Sequence, residues 1–121
     1  MNKEADLDLV FSALSDRTRR AILARLTLGD ASVSELAEPF DMAQPTISRH
    51  LVVLEKAGLI RTARDAQRRP RSLVVGGPLE DVDAWLGPFR EQWERRFDQL
   101  EAFLLAAEKP AKRNRKTKEK K

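Results

Sequence analysis

The 121-residue sequence has no cysteine, only five glycines and a single histidine, His50. Without thiols the chain has no disulfide, no thiolate metal ligand and no thiol redox switch. The glycines form neither a Gly-x-Gly-x-x-Gly dinucleotide motif nor a phosphate-binding loop. His50 has no evident nucleophile or second general base to act with, so packing or a phosphate contact is the better interpretation. We therefore predict no enzyme activity, no catalytic residue and no cofactor.

Long apolar runs are also missing. No stretch approaches the roughly 20 apolar residues that span a bilayer, and residues 1–8 lack the basic and apolar regions of a signal peptide. We expect a soluble cytoplasmic protein with no membrane partner. The composition is polar, with 41% hydrophobic and 35% charged residues, and the length suits one small domain. A second copy of the chain would readily complete so limited a core.

The net charge of +4 hides three segments of alternating sign. Residues 44–71 carry +5, residues 79–108 carry −5 and residues 109–121 carry +7. Clustered basic charge is typical of a phosphate binder, whereas the total charge says little. We predict one domain over residues 1–108 and a basic, disordered tail over 109–121. The tail either confers solubility or adds sequence-independent phosphate contacts.

Apolar spacing and capping signals predict three helices before residue 40. The first is a short amphipathic helix containing Leu7, Val10 and Phe11. Asp16 caps the second, which stops at Gly29. The third starts at a capping box over residues 32–35 and closes near Pro39. The second helix also carries four arginines, interpreted as a solvated face with phosphate contact as the alternative: Arg17, Arg19, Arg20 and Arg25.

A fourth helix has Pro45 in its first turn, where the missing N–H does no harm. Ile47, Leu51 and Leu54 are spaced 4 and 3 apart and form one buried stripe. Off this stripe lie polar side chains near the helix N-terminus, namely Gln44, Thr46, Ser48 and Arg49, with His50 at the rim. Arginine pairs with guanine O6 and N7, glutamine with adenine N6 and N7, and hydroxyls with bases or phosphates. This helix therefore resembles one that enters the DNA major groove.

Two short strands follow, beginning at Leu59 and Leu73, around a polar segment over residues 64–71. Such a hairpin directly after a helix-turn-helix is a wing. Its arginines are predicted to hold phosphates or to reach the minor groove: Arg64, Arg68, Arg69 and Arg71. Pro70 cannot donate to a strand ladder, so we expect the wing to be an edge that is poorly ordered without DNA.

The last predicted helix begins at Leu79 and meets Gly87-Pro88, where Pro88 either kinks it or starts a new helix. Beyond that point an aromatic and aliphatic stripe recurs at helical spacing, through Phe89, Trp93, Phe97, Leu100 and Leu104. With Leu7, Val10 and Phe11, this stripe is predicted to form a dimer interface; a ligand pocket lined by Trp85, Trp93 and Phe97 is the alternative. The acidic residues of this helix are interpreted as a solvated face.

Four collinear segments resemble the ArsR-type winged helix-turn-helix repressors: residues 13–23 (ALSDRTRRAIL), 34–37 (SELA), 44–51 (QPTISRHL) and 54–60 (LEKAGLI). The likeness extends over roughly residues 5–108. It implies a mainly α fold with a small β-hairpin, and a homodimer formed by the first and last helices. It also implies a protein that occupies operator DNA, blocks transcription and is commonly released by an effector or a metal.

Three positions depart from this resemblance. Ala43 stands where family members usually have a serine, so the cap of the fourth helix and one potential phosphate contact are absent. Asp41 or a rearranged backbone is the alternative source of a cap. Ala66 rather than glycine follows Asp65 in the wing, which argues against a tight turn there. Ser32-Val33-Ser34 matches the Cys-Val-Cys of metal sensors but offers no thiolate or imidazole. We predict a family member with no metal site.

The sequence therefore favours a sequence-specific repressor that acts by promoter occlusion and binds double-stranded DNA as a homodimer. Two alternatives stay open: an architectural, non-specific nucleic-acid-binding protein driven by the basic wing and tail, and an adaptor that recruits another protein through its helical surface. An effector or partner protein also stays open. A DNA-binding role places the protein in the cytoplasm, associated with the nucleoid.

Overall fold

The structure, a computed structural model, describes the backbone of residues 3–64 and 67–119 and the side chains of residues 6–64 and 67–108. The predicted opening of the wing turn at Asp65-Ala66 lies outside the described residues. The elements in chain order are α1 (Lys3–Leu14), α2 (Arg17–Leu26), α3 (Val33–Ala37), α4 (Gln44–Lys56), β1 (Ile60–Thr62), β2 (Arg71–Leu73) and α5 (Pro78–Glu119). The predicted winged helix-turn-helix, mainly α with one β-hairpin, is confirmed.

Side-chain caps start α2 and α3 where the sequence predicts them. The Asp16 carboxylate accepts the Arg19 N–H at 3.1 Å. At α3, the Ser32 hydroxyl accepts the Glu35 N–H at 3.3 Å while the Glu35 carboxylate accepts the Ser32 N–H at 2.8 Å. These are orphan donors of the first helical turns, so each bond fixes a helix start.

The core lies between α1, α2, α3, α4 and the start of the hairpin. Ile47, Leu51 and Leu54 have at most 1% of their surface exposed, which confirms the predicted buried stripe of α4. Leu79 and Val82, at the start of α5, pack against the same core. The other large side chains that are fully buried are Val10, Ile22, Leu36 and Leu59.

A left-handed glycine turns the chain from α4 into the hairpin. Gly58 has φ +77°, and a Cβ at this position would lie 3.1 Å from Pro78 Cγ. Glycine therefore serves both the backbone conformation and the close approach of α5. Ile60 then pairs with Leu73 and Thr62 with Arg71 in an antiparallel ladder.

The hairpin has a third backbone partner that the sequence does not indicate. Ala31, just before α3, donates to the Arg71 carbonyl at 3.2 Å and accepts the Arg71 N–H at 2.8 Å. The outer edge of β2 is therefore paired at Arg71, although we expect a bare edge from Pro70. Strand β2 also begins two residues before the predicted Leu73, and the Pro70 carbonyl still accepts the Ala63 N–H at 2.9 Å.

Helix α5 runs through Gly87-Pro88 without a break, so of the two alternatives the single helix holds. Pro88 removes one N–H from the helical ladder but does not end it. By compactness the chain divides into two units, Met1–Ala84 and Trp85–Lys121. The domain boundary at residue 108 stays a prediction, as does disorder beyond it, although the backbone is described as helical to Glu119. No helix of the described part has the length and apolar character needed to cross a bilayer.

Candidate nucleic-acid interface

The outer face of α4 is set by its buried stripe. With Ile47, Leu51 and Leu54 held in the core, the helix must turn its other sides outward. Gln44 and Arg49 are exposed, whereas Thr46, Ser48 and His50 are half-buried. All five lie in the first two turns, so the α4 residues predicted to contact DNA share the N-terminal half of this helix.

The N-terminus of α4 lacks a side-chain cap, as the sequence predicts from Ala43. Ala43 has an extended backbone (φ −69°, ψ 150°), and its carbonyl accepts the Thr46 and Ile47 N–H groups. No acidic side chain lies in the first turn. The first turn therefore supplies no acidic side chain to offset the positive end of the helix dipole.

Three of the wing arginines are exposed, and one of these also forms an ion pair. Arg64 and Arg69 are exposed, and Arg69 has a left-handed backbone with φ +46°. Arg68 pairs with the second carboxylate oxygen of Glu35 at 2.7 Å, although both side chains remain largely open to solvent. Glu35 thus connects the start of α3 to the wing.

Arg71 holds the wing backbone. It is half-buried and donates from Nη1 to the Arg69 carbonyl at 2.8 Å, while its Nε is buried without a partner in the described structure. Burial, together with the charge of Arg69, lowers the pKa of Arg71 from its ordinary value. Its predicted contact with DNA stays a prediction.

The structure adds a recess that the sequence reasoning missed. Its lining comes from the end of α4, from β1 and from both sides of the wing: Glu55, Arg61, Thr62, Arg64 and Arg69. Arg61 is exposed between buried Ile60 and half-buried Thr62. This alternation has the period of two that is typical of a strand, so it was the available signal for an outward basic side chain.

Three α2 arginines bind backbone carbonyls, a role that differs from the predicted solvated face. Arg19 donates from Nε to the Ala13 carbonyl at 2.7 Å and from Nη2 to that of Ser12 at 3.1 Å. Arg20 donates to Leu14 at 2.7 Å, and Arg25 to Gly29 at 2.9 Å. Arg19 Nη1 also lies 3.3 Å from His50 Nδ1 on α4.

The residues predicted for a dimer interface occur in both units. In the first unit Val10 is 1% exposed and belongs to the core, so it offers no surface to a partner, while Leu7 is half-buried and Phe11 is 38% exposed. In the second unit the whole α5 stripe is exposed, from Phe89 at 44% to Phe97 at 69%: Phe89, Trp93, Phe97, Leu100 and Leu104. A cavity on that stripe is lined by Trp93, Arg96, Phe97 and Leu100.

Ser32-Val33-Ser34 is the segment that stands in place of the Cys-Val-Cys of metal sensors, and the sequence predicts no metal site there. The Ser32 and Ser34 hydroxyls lie 3.3 Å apart, and Ser32 is occupied in the capping box. Among the described side chains, no group of three or more histidines or carboxylates is arranged to hold a metal ion.

Comparison with known proteins gives a consistent set of relatives. A family model described as a helix-turn-helix domain matches residues 14–63. The chain is 45% identical over 58 residues to the transcriptional repressor SdpR of Bacillus subtilis, covering 48% of this chain and 64% of that protein. It is 45% identical over 70 residues to the HTH-type transcriptional regulator Rv2034 of Mycobacterium tuberculosis, covering 58% and 65%. The matches span slightly less than two thirds of these two relatives.

Solved structures extend the likeness over most of the chain. An ArsR family transcriptional regulator superposes with a TM-score of 0.66 at 46% identity, covering 74% of this chain and 97% of the other. An ArsR-like regulator from Rhodococcus sp. RHA1 gives 0.63 at 30% identity, covering 83% and 93%. A homodimeric winged helix-turn-helix domain from Mycobacterium bovis gives 0.56 at 24% identity, covering 78% and 84%, which shows a shared fold.

Proposed function

Because the chain belongs to the ArsR family of transcriptional regulators, we propose that it is a sequence-specific DNA-binding repressor that acts by covering a promoter. The observation that carries the proposal is the N-terminal half of α4, where exposed and half-buried polar side chains stand opposite a fully buried stripe. A helix-turn-helix places these positions against base edges in the major groove. This function requires no catalytic residue.

The side chains at the start of α4 are proposed to contact the bases. Arg49 is exposed and matches the two acceptors of guanine, and Gln44 matches the donor and acceptor of adenine. Thr46 and Ser48 are half-buried, so their hydroxyls suit contacts close to the helix. The N-terminus of α4 has no side-chain cap and no acidic side chain in its first turn, so the helix dipole favours a phosphate there.

The arginines of the wing are proposed to contact the phosphates. Arg64 and Arg69 are exposed and line one recess together with Arg61, so this recess brings three arginines together. Arg68 would exchange the Glu35 carboxylate for a phosphate at modest cost, because a solvent-exposed ion pair contributes little. Arg71 supports these contacts through the Arg69 carbonyl.

The repressor is proposed to act as a homodimer. The α5 stripe exposes a row of large apolar side chains. An exposed apolar patch of this kind is typical of a protein–protein interface, where a second copy would remove it from water. Phe11 and Leu7 of α1 are the available positions in the first unit. A two-fold dimer predicts a pseudo-palindromic operator with half-sites about one helical turn apart. A regulator of this kind acts on the chromosome, so the proposal places it in the cytoplasm.

Selection of bound fragments from genomic DNA at two salt concentrations, followed by footprinting, tests the proposal. The expected result is a small set of fragments that survives the higher salt, with two protected half-sites in each. Enrichment of no sequence at either salt concentration would contradict sequence-specific repression. A single asymmetric protected region would contradict the dimer.

Sedimentation velocity tests the dimer separately. Phe97→Glu places a charge in the middle of the exposed stripe and is expected to give monomers with weakened operator binding. The matched control is Gln99→Glu, which adds the same charge to the same helix at a position off the stripe. Equal sedimentation of the Phe97→Glu and control proteins as dimers would remove this face from the interface.

The second candidate is an architectural protein that binds nucleic acid without sequence preference. The observation that favours it is the +7 charge of residues 109–121. Counterion release by such a segment gives affinity for any duplex, with a steep dependence on salt. The ratio of affinities for a selected fragment and for random DNA separates this candidate from the repressor.

A further inference from the structure

Arg19 is fixed by contacts at both ends of its guanidinium group. Nε donates to the Ala13 carbonyl at 2.7 Å and Nη2 to the Ser12 carbonyl at 3.1 Å, both in the last turn of α1. Helix α1 ends at Leu14, so neither carbonyl has a partner four residues on within the helix, although the Ser12 carbonyl also accepts the Ser15 N–H and hydroxyl. A cation at a helix C-terminus also offsets the dipole. The orientation of Arg19 is therefore set by α1, independently of any DNA.

The third contact of Arg19 decides the state of His50. Nη1 lies 3.3 Å from His50 Nδ1. A guanidinium group has donors and no acceptor, so the histidine nitrogen that faces it must be the acceptor. A neutral imidazole that accepts at Nδ1 carries its proton on Nε2. Arg19 therefore selects one of the two neutral tautomers of His50.

The selected tautomer leaves one donor available on α4. His50 is half-buried and follows Arg49 directly, four residues after Thr46, so it lies on the Thr46 side of the helix. Apart from the contact with Arg19, the His50 imidazole has no hydrogen-bond partner among the described residues, and Asp16 lies near enough to interact with it electrostatically. From the geometry we infer that Arg19 is a positioning residue for DNA recognition, which holds His50 as the Nε2–H tautomer so that it donates a neutral hydrogen bond to a backbone phosphate.

A neutral donor has a signature that a charged contact lacks. A lysine, an arginine or a protonated histidine that binds a phosphate releases a counterion and adds about 0.9 to the salt slope of binding. A neutral N–H contributes affinity without changing that slope. The inference rests on the proposed DNA binding, but the tautomer itself is a property of the free protein.

Nitrogen-15 NMR of the imidazole ring, recorded on the DNA-free full chain at mildly alkaline pH, tests the tautomer. His50 is the only histidine, so the ring signals need no assignment. The expected spectrum shows a protonated Nε2 and an unprotonated Nδ1. Arg19→Met is expected to give a mixture of tautomers. The control is Arg20→Met, which removes a neighbouring arginine that caps the same helix at Leu14.

A wild-type spectrum with the proton on Nδ1, or an unchanged spectrum in Arg19→Met, would overturn the inference. If Arg19→Met fails to fold, Arg19→Lys serves instead, because it keeps the cation but loses the planar fork that reaches three acceptors at once. The same loss of a single tautomer is expected there.

DNA binding by His50 variants tests the phosphate contact, using selected fragments and random duplex. His50→Gln keeps an amide donor near the Nε2 position, His50→Asn keeps an acceptor near Nδ1 only, and His50→Phe keeps neither. We expect His50→Phe and His50→Asn to weaken binding to both DNAs by about 2- to 10-fold. The salt slope should stay unchanged, and His50→Gln should recover part of the affinity.

Two results contradict the phosphate contact. A salt slope reduced by about 0.9 in His50→Phe would mean that the histidine binds as a cation. Unchanged affinity in His50→Phe would mean that His50 does not contact DNA. Failure of the wild-type protein to bind any fragment would instead contradict the proposed function, and the NMR result would stand by itself.

Discussion

Glu35 illustrates how single side chains connect the elements of this molecule. One carboxylate oxygen accepts the Ser32 N–H in the cap of α3, and the other pairs with Arg68 of the wing. The backbone hydrogen bond, followed by the Arg68 and Ser32 side chains, lowers the pKa of Glu35 from its ordinary 4.5. The pKa of Asp16 is lowered from 3.8, chiefly because its carboxylate accepts the Arg19 N–H.

Acid is therefore expected to remove part of the stability of the first unit, Met1–Ala84. A carboxylate with a lowered pKa in the folded state stabilises the fold above its unfolded pKa, and that contribution is lost as the pH falls through the folded pKa. The loss should begin below about pH 4.5 and deepen as both groups are protonated. Urea unfolding between pH 7 and pH 3 measures it.

Asp16→Asn is the informative variant for this prediction, because asparagine keeps a capping oxygen but cannot titrate. Its free energy of unfolding should fall less between pH 7 and pH 3 than that of the wild type. Parallel pH profiles for the two proteins would show that the cap of α2 is not a source of the acid sensitivity.

Arg49 is the residue from which we expect the largest loss of specificity. Arg49→Ala should weaken binding to a selected operator fragment by about 1–3 kcal/mol, with little effect on random duplex. Lys56→Ala is the control, since it removes an exposed cation at the other end of the same helix. Competition binding gives both affinities. A loss of equal size on random DNA would assign Arg49 to phosphate rather than to a base.

Helices α3 and α4 differ in how their N-termini are closed. The Ser32 hydroxyl caps α3, whereas Ala43 has the extended backbone of a capping residue but no oxygen to offer. Because Pro45 has no N–H, the Thr46 N–H is the donor that a new cap would bind. Ala43→Ser is therefore expected to raise the free energy of unfolding by about 1 kcal/mol.

Thermal unfolding checks this prediction, with an expected increase in Tm of about 4 °C. Ser32→Ala is the matched reverse change and should lower the stability by a similar amount. Ala43→Val, which suits the extended backbone of this position but supplies no capping oxygen, should not stabilise. If Ala43→Ser left the Tm unchanged, the Thr46 bond to the Ala43 carbonyl, at 3.0 Å, would already satisfy that donor.

At the level of elements, the sequence predicts what depends on neighbours in the chain. The caps at Asp16 and Ser32, the missing cap at Ala43 and the buried stripe of α4 each need only a few adjacent residues, and the structure has all of them. The continuity of α5 through Pro88 was open, because local propensity does not decide between a kink and a break.

Contacts between distant segments escape such reasoning. The bridge from Ala31 to Arg71 pairs backbone groups, which no side-chain pattern records. The arginines of α2 have the spacing of a solvated face, but Arg19 and Arg20 reach back to carbonyls that α1 leaves unpaired. The outward row of α4 was predictable from its stripe; the Arg19–His50 contact, between residues 31 positions apart, was not.

At the scale of the whole molecule, the basic charge lies in two segments, one proposed for sequence-specific DNA binding and one for non-specific binding. Helix α4 and the wing, over residues 44–71, carry +5, and the tail over 109–121 carries +7. In the proposed repressor the first set would contact DNA through shape and hydrogen bonding as well as charge, whereas the second would contribute charge alone. The two sets should therefore respond differently to deletion and to salt.

Deletion of residues 109–121 separates them. For a repressor that reads DNA through α4, affinity should fall on selected and random duplex alike, while the ratio of the two affinities is kept. The salt slope should decrease by about 0.9 for each phosphate contact that is lost. A full-length variant with its eight tail lysines and arginines replaced by glutamine is the control, because it removes charge without shortening the chain. If either protein lost nearly all of its affinity for the selected fragment as well as for random duplex, binding would depend on the tail, and the architectural candidate would replace the repressor.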